Sequence, residues 1–418
     1  MSETVALDPS VTLADVQAAR TRLNGLVLDT PVVPDTRLSE RTGANVFLKA
    51  ECMQRSGAFK VRGAFNRLLT MPDDERRRGV IAQSAGNHAQ GVALAARHLG
   101  IPAVIVMPEH APLTKVVATR RLGAEVILSG DTFDACSEKA AEVQAERGLT
   151  LVHPFDDPAV IAGQGTLGME LLDVLPEVDL VVVPVGGGGL ISGIATAMKA
   201  LRPSVRIVGV QAERNAATAR SFAEGHPVTV SGGRSLADGL AVKKPGRLTL
   251  PIIQQLVDDM VTVSEDDIAA GIAHAAMHPK LVTEGAGAAG LAALLAGKIA
   301  VAPGQTVATP LCGGNIDANI LARVLETVLV RQGHYLLLKL TVEDRPGELA
   351  KLVEVIAATG ANVVEVLHRR AAWLVPLDRA GLELVLEVKD DAHADTVVAT
   401  LRDTGYPVAT GAAHVWPT

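Results

Sequence analysis

From Gly79 to Val330 the chain alternates short apolar runs with stretches of helical period. Val80–Gln83, Ala103–Met107, Glu125–Leu128, Leu149–His153, Leu180–Val185, Val205–Val210, Met260–Val263 and Val307–Leu311 read as strands. Between them, Ala89–Leu99, Leu113–Leu122, Phe133–Glu146, Ile161–Leu175, Leu190–Leu201 and Gly290–Leu295 read as helices. Ser264 with Asp267 three residues on predicts a capped helix running to about Met277, and a last helix covers about Ile316 to Val330. Leu180–Val185 is apolar throughout, the mark of a strand covered on both faces. The rhythm predicts a parallel sheet clothed in helices. Ahead of it lie an opening helix over Thr12–Leu26 with Thr12 as N-cap, a strand over Ala44–Ala50 and a helix over Val61–Leu69.

Past Arg331-Gln332-Gly333 the pattern changes. Leu336–Val342 alternates like a strand, and Leu349, Leu352, Val353 and Ile356 form one helix face. Val363–Leu367 follows, then Leu382, Leu384, Leu386 and Val388 alternate around Glu383 and Glu387. Ala394, Val397, Val398 and Leu401 make a second helix face before a closing strand near Tyr406–Ala409. That order, β-α-β-β-α-β, predicts a ferredoxin-like module over residues 334–418 behind an α/β body over residues 1–330.

Composition narrows the function. The 418 residues carry a net charge of −7 and 2% aromatics. That balance excludes a general attraction to nucleic acid or anionic membrane and leaves little for base stacking. No uncharged run has the length of a membrane span. Cys52, Cys136 and Cys312 are too far apart for a zinc motif or a disulfide framework. The first twenty residues have neither a basic start nor an apolar signal core, so the expected location is the cytoplasm.

Four stretches can carry chemistry. Lys60 lies between Ser56-Gly57-Ala58-Phe59 and Val61-Arg62-Gly63-Ala64. An amine among small and apolar residues loses hydration, so its pKa falls and it becomes nucleophilic, as a Schiff-base lysine requires; a solvated surface charge is the plain alternative. Gly186-Gly187-Gly188-Gly189 follows a buried strand and opens a helix. Successive N–H groups there can turn to one point beside the positive end of the helix dipole, which makes a phosphate cradle; a tight strand-to-helix turn is the competing reading. No Lys-Ser/Thr follows, so it is not a Walker A loop. Ser84-Ala85-Gly86-Asn87-His88 is a second such turn, suited to a small carboxylate, with His88 read as a structural rather than a basic histidine. Cys312 stands at the carboxyl end of a strand, where parallel sheets bind ligands, although most free cysteines only fill space.

Taken in order, Ser56–Ala64, Ser84–Gly91, Gly186–Leu190 and Cys312-Gly313-Gly314-Asn315 resemble the threonine dehydratases (threonine ammonia-lyases) of the tryptophan-synthase-β-like pyridoxal-phosphate enzymes. The resemblance covers about residues 12–330 and implies a two-lobed parallel-sheet body with a small lobe over about residues 52–150. It implies that Lys60 holds pyridoxal 5'-phosphate as a Schiff base and takes the substrate α-proton, with Phe59 near the ring. Asn87 is implied as the partner of the phenolate oxygen, Gly186, Gly187, Gly188, Gly189 and Leu190 as the phosphate site, and Cys312 as the partner of the pyridine nitrogen. Ser84, Ala85, Gly86, Asn87 and His88 are implied to hold the substrate carboxylate. A thiol does not keep that nitrogen protonated, so prompt loss of the β-hydroxyl is favoured over a long-lived carbanion.

The implied reaction converts threonine to 2-oxobutanoate and ammonia, and serine to pyruvate. Another β-hydroxy-amino-acid lyase or a serine racemase-like enzyme is the neighbouring alternative, and a non-catalytic amino-acid sensor the distant one. Ala58 replaces the usual serine, and Ala85 stands where the racemases resembled carry a second serine, so racemisation should be poor. Gln211 replaces the first acidic ligand of the racemase cation site, so no divalent metal is expected. The module resembles an ACT domain through Asp344-Arg345-Pro346-Gly347-Glu348-Leu349 and Gly360-Ala361-Asn362-Val363. That implies an amino-acid effector near Asp344, Gly347, Glu348, Leu349 and Asn362, a homotetramer, and a place in amino-acid metabolism such as isoleucine formation. An RNA-binding ferredoxin-like domain is disfavoured because the strands lack paired aromatics.

Overall fold

The computed structural model describes residues 11–131, 133–370, 375 and 378–410. The chain divides into two compact units, residues 1–318 and 319–418. The extreme ends assigned to them from the sequence, residues 1–10 and 411–418, lie outside the described residues.

The first unit contains strands β1 (Val32–Pro34), β2 (Asn45–Lys49), β3 (Val80–Gln83), β4 (Ala103–Met107), β5 (Glu125–Leu128), β6 (Thr150–Leu151), β7 (Leu180–Pro184), β8 (Arg206–Ala212), β9 (Asp259–Val263) and β10 (Thr306–Pro310). They form two sheets. The smaller, ordered β5-β4-β3-β6, is parallel throughout. The larger, ordered β1-β2-β10-β7-β8-β9, is parallel except for β1 at its edge. β1 escaped the sequence reading because its three residues are too few to alternate and end in proline. All five residues of β7 are buried, as its unbroken apolar run requires.

Small residues let the helices approach the sheets and one another. The helices Pro158–Val174 and Gly189–Leu201 cross at Gly165 and Gly193, where a Cβ on Gly193 would lie 2.6 Å from the Gly165 nitrogen. The opening helix, Leu13–Leu23, is fixed by a capping box between Thr12 and Asp15, and Ser264 with Asp267 forms the expected box ahead of Glu265–Met277. The stretch before that helix, irregular by pattern, holds two helices, Ala217–Glu224 and Thr249–Leu256. No helix among the described residues is long and apolar enough to cross a membrane.

The second unit contains β11 (Tyr335–Glu343), a helix over Glu348–Ala358, β12 (Asn362–Arg369), β13 (Arg379–Glu387), a helix over Asp391–Asp403 and β14 (Val408–Thr410). The antiparallel sheet is ordered β12-β13-β11-β14, the ferredoxin-like arrangement. Leu338, Leu340, Leu382, Leu384 and Leu386 bury one face of it with Leu352, Ile356, Val397 and Leu401 from the helices. The helix Ala318–Arg331, counted with the body on sequence grounds, falls with this unit.

Candidate active site

Five strand ends converge in the first unit. β2 leads into the Lys60 stretch, β3 into Ser84, β6 into His153 and Pro154, β7 into the glycine run and β10 into Cys312. These are carboxyl ends of parallel strands, where turns and helix N-termini leave backbone N–H groups free for a ligand.

Lys60 is the first residue of the helix Lys60–Leu69. Its Nζ donates to the Pro154 carbonyl at 2.7 Å and lies 5.3 Å from the centre of the Phe59 ring. Burial lowers its pKa from 10.5 to about 8, opposed only in part by the Glu284 carboxylate. Such an amine is neutral in a useful fraction near neutrality.

The helix start is locked two residues on. Arg62 is fully buried and donates through Nε and Nη2 to both oxygens of Glu51, at 2.8 Å each, and through Nη2 to Glu170 at 2.8 Å. Lys49 Nζ reaches the same Glu170 at 2.6 Å. Two cations and two carboxylates, nearly removed from water, thus tie β2, the lysine helix and the helix Pro158–Val174 together.

Cys312–Asn315 is zipped to the lysine stretch. Ala58 and Gly313 form an antiparallel bridge, Phe59 donates its N–H to Cys312 O at 3.1 Å, and Gly314 donates to Gly57 O at 2.8 Å. Asn315 Nδ2 donates to Ser56 O and to Asn87 Oδ1, both at 2.8 Å. Asn87 Nδ2 in turn donates to Glu284 Oε1. Burial pushes the Cys312 thiol well above its ordinary range, so it stays protonated at neutral pH. Burial, reinforced by Asp238 and opposed by Asn87, raises Glu284 to about 7.

The glycine run spans the turn from β7 to the helix Gly189–Leu201. Its carbonyls are held from behind: Thr218 donates to Gly186 O at 2.7 Å and Thr249 to Gly187 O at 2.6 Å. Gln211 also reaches Gly186 O, at 3.4 Å. Gly188 has φ 97°, open to glycine at no steric expense. A Cβ on Gly187 would run into the Phe155 ring, and one on Gly189 would lie 2.9 Å from the Phe155 backbone. The N–H groups of Gly189 and Leu190, in the first helical turn, have no acceptor within their own helix.

In the second turn, Gly86 donates its N–H to Ser84 Oγ at 3.1 Å and the helix begins at Asn87. Ala85 packs its methyl against the core formed by β3, β4 and the helix Lys60–Leu69. His88 is buried with Nε2 on the Val152 carbonyl at 2.8 Å, and burial, aided by Lys60, lowers its pKa to about 3. Its neutral ring is tied to the fold through Nε2, while Nδ1 is buried without a partner and the main-chain N–H lies in the first helical turn.

These residues fit the cofactor that the sequence resemblance implies. A cradle whose carbonyls are tied back and whose glycines exclude a Cβ suits a phosphate. The Lys60 amine suits an aldehyde, Asn87 keeps one unused amide hydrogen for a ring oxygen, and the uncharged Cys312 thiol suits a neutral pyridine nitrogen. Among the described residues no three or more His, Cys, Asp or Glu side chains gather into a metal-binding group.

Pattern reading missed Glu284 and the Pro154 carbonyl, and gave Asn315 no role of its own. Glu284 precedes the small-residue helix Gly285–Leu295, and its importance rests on a partner 197 residues away. In the second unit the structure gathers Asp344, Gly347, Glu348 and Leu349 at one turn, where Asp344 accepts from Arg370 at 3.0 Å and Glu348 pairs with Lys351 at 2.7 Å. Asn362 is not with them. It pairs with Glu387, which pairs with Tyr335, at the opposite end of the sheet, roughly 26 Å away at about 3.3 Å per residue. A single unit therefore does not assemble the five residues into one pocket.

Residues 23–313 match the family described as pyridoxal-phosphate dependent enzyme. The L-threonine ammonia-lyase of Thermotoga maritima is 47% identical over 398 residues, covering 95% of this chain and 99% of that protein. The solved structure of the processed threonine deaminase isoform 2 from Solanum lycopersicum superposes with a TM-score of 0.72 at 38% identity, over 76% of this chain and 87% of that one. Maize serine racemase gives 0.73 at 36% identity, over 77% of this chain and 99% of its own. A lysine amine kept nucleophilic by burial, a glycine run that opens a helix in the same unit, and likeness of this extent lead to one conclusion: the chain belongs to the pyridoxal-phosphate dependent enzymes.

Proposed function

We propose that the protein is a threonine ammonia-lyase, converting L-threonine to 2-oxobutanoate and ammonia, and L-serine to pyruvate. The observation that carries this reading is the Lys60 amine, lowered to about 8 and held on Pro154 O among the converging strand ends. Lys60 and Phe59, Asn87, Gly186 to Gly189 with Leu190, and Cys312 are assigned to hold the cofactor. When bound, pyridoxal phosphate supplies the electron sink that makes the α-proton of an amino acid acidic. Ser84 to His88 receive the substrate carboxylate, through the N–H groups that open the helix at Asn87. Lys60 Nζ takes the α-proton, and its lowered pKa lets it act as a base near neutrality. Cys312, a buried thiol that stays protonated, would meet the ring nitrogen of the bound cofactor without charging it, a setting suited to loss of the β-hydroxyl rather than return of the α-proton. Hydrolysis of the enamine product gives the 2-oxo acid and ammonium.

Likeness to a serine racemase supports a second reading, racemisation of serine. Ala85 argues against it, because a methyl group packed on the core beside β3 and β4 cannot hand a proton to the opposite face. The second unit is read as an ACT-type regulatory domain that binds an amino acid and acts on the first unit within a homotetramer. The separation of Asn362 from Asp344–Leu349 favours an effector site completed by a neighbouring subunit.

The test is 2-oxo acid release by the cofactor-loaded protein from L-threonine and from L-serine, each with and without isoleucine, with chiral analysis of residual serine. Threonine turnover lost in Lys60→Ala is the expected result. D-serine formed faster than pyruvate would move the assignment to the racemase, and turnover retained in Lys60→Ala would remove Lys60 from the chemistry.

A further inference from the structure

Asn315, Asn87 and Glu284 form one directed chain. A backbone carbonyl can only accept, so the bond to Ser56 O fixes which end of the Asn315 amide is its nitrogen. The second hydrogen of that nitrogen goes to Asn87 Oδ1, which leaves the Asn87 nitrogen turned to Glu284. No amide in the chain is free to flip, because either reversal would set oxygen against oxygen or nitrogen against nitrogen. Glu284 is itself held, its main-chain N–H donating to Gly313 O at 2.9 Å. Gly313 keeps the passage open, since a Cβ there would lie 2.5 Å from Glu284 Oε1 and 2.9 Å from Asn87 Nδ2. Glu284 is 6% exposed, so its carboxyl meets little competing water.

We propose that Glu284 and Asn315 are positioning residues of this lyase site, acting through Asn87: they hold its carboxamide in one orientation and leave a single N–H to donate to the ring oxygen of the cofactor. This rests on the assignment of Asn87 to the cofactor made above. Both bonds run to side chains that no helix or strand ladder would otherwise immobilise, and both bear on one amide. Burial and Asp238 raise Glu284 to about 7, and the Asn87 hydrogen bond is the first of the groups that favour its charged form, ahead of Lys115 and Lys60.

The experiment is a pair of double-substitution cycles on protein loaded with pyridoxal phosphate. The readouts are the visible absorption band of the bound cofactor and the kcat and KM for L-threonine. Asn87→Ala, Glu284→Ala and Asn315→Ala each shift the band in one direction and lower kcat roughly tenfold to a hundredfold, with KM little changed. In the Asn87→Ala background, Glu284→Ala and Asn315→Ala add no further shift, because the group they act through is gone. Glu284→Gln, which keeps an acceptor oxygen and the side-chain volume, retains the parent band and serves where the alanine variant does not fold. Equal shifts with and without Asn87 overturn the inference alone, since the two residues would then act independently of that amide. A parent protein with no Lys60-dependent band overturns the cofactor assignment, and the inference with it.

Discussion

The ring of Phe155 fills the space beside Gly187 that any larger residue would need for its Cβ. That ring is braced edge-on by His153, with centroids 4.7 Å apart at 85°, and His153 Nδ1 accepts the N–H groups of both Phe155 and Asp156. The braced ring has little room to retreat. Gly187→Ala is therefore expected to strain the cradle by about 1–3 kcal/mol and to loosen the cofactor about tenfold or more. Equilibrium dialysis of pyridoxal phosphate checks this, and the double variant with Phe155→Ala should recover part of the loss. Unchanged affinity in Gly187→Ala would show that the ring yields freely.

Lys60 gives a pH signature in cofactor loading. With a pKa of about 8, roughly a tenth of the amine is neutral at pH 7 and nearly all of it above pH 9. The rate at which apoprotein takes up pyridoxal phosphate should rise roughly tenfold between these values and then level off. Glu284 opposes the lowering of Lys60, so Glu284→Gln should move the midpoint to lower pH. Stopped-flow absorbance measures both. A rate still climbing toward pH 10.5, as for an ordinary lysine, would contradict the assigned environment.

Glu284 also gives a stability signature. Its pKa rises on folding from 4.5 to about 7, so the folded state binds the proton more tightly than the unfolded chain. Stability is then least penalised below pH 4.5, falls as pH rises from there to about 7, and carries the full penalty above. Glu284→Gln removes the titration. It should stabilise the apoprotein by about 3 kcal/mol at pH 8 and by progressively less toward pH 5. Urea unfolding at the two pH values tests it; an advantage that grows toward acid has the wrong sign.

The buried cluster under the lysine helix predicts an asymmetry between charge and shape. Arg62→Lys keeps the charge but cannot reach both carboxylates with a planar fork. It should destabilise the first unit by about 3–5 kcal/mol, because Glu51 is fully buried and would lose its principal partner. Lys49→Met leaves Arg62 on both carboxylates and should do less harm. Thermal unfolding ranks the two, and equal losses would mean that total charge matters more than the guanidinium geometry.

Much of this architecture was legible in the chain. β7 and β4 are buried on both faces and therefore read as unbroken apolar runs; Leu382, Leu384 and Leu386 point inward from a one-sided sheet and therefore alternate. Ser264 with Asp267 shows a helix start by local chemistry alone. The failures have equally physical causes. The helix Gly285–Leu295 was read as beginning at Gly290, because Gly285 and Gly287 weaken the helical pattern. Those glycines answer tertiary demands, since a Cβ on Gly287 would lie 2.7 Å from Gly313 O. Lys60, Asn87 and the glycine run stand in motifs with local grammar. Glu284 has none, and Asn315 draws its meaning from partners more than two hundred residues away. His88 shows the reverse, a residue in the middle of a site motif whose ring serves the core.

The order of strands in the larger sheet bears on how the protein comes off the ribosome. β10 lies between β2 and β7, parallel to both, and it is the last strand of that sheet to be made. Until residues 306–310 emerge, the edges of β2 and β7 that will receive it have no partner, and the segment that will bridge Ala58 does not yet exist. More than two hundred residues of synthesis separate Lys49 from the strand that completes its sheet. The nascent chain must carry the open edge of β2 through that interval, and that of β7 as well once residues 180–184 are made, and unpaired strand edges of this kind are where a growing chain is most prone to wrong pairing.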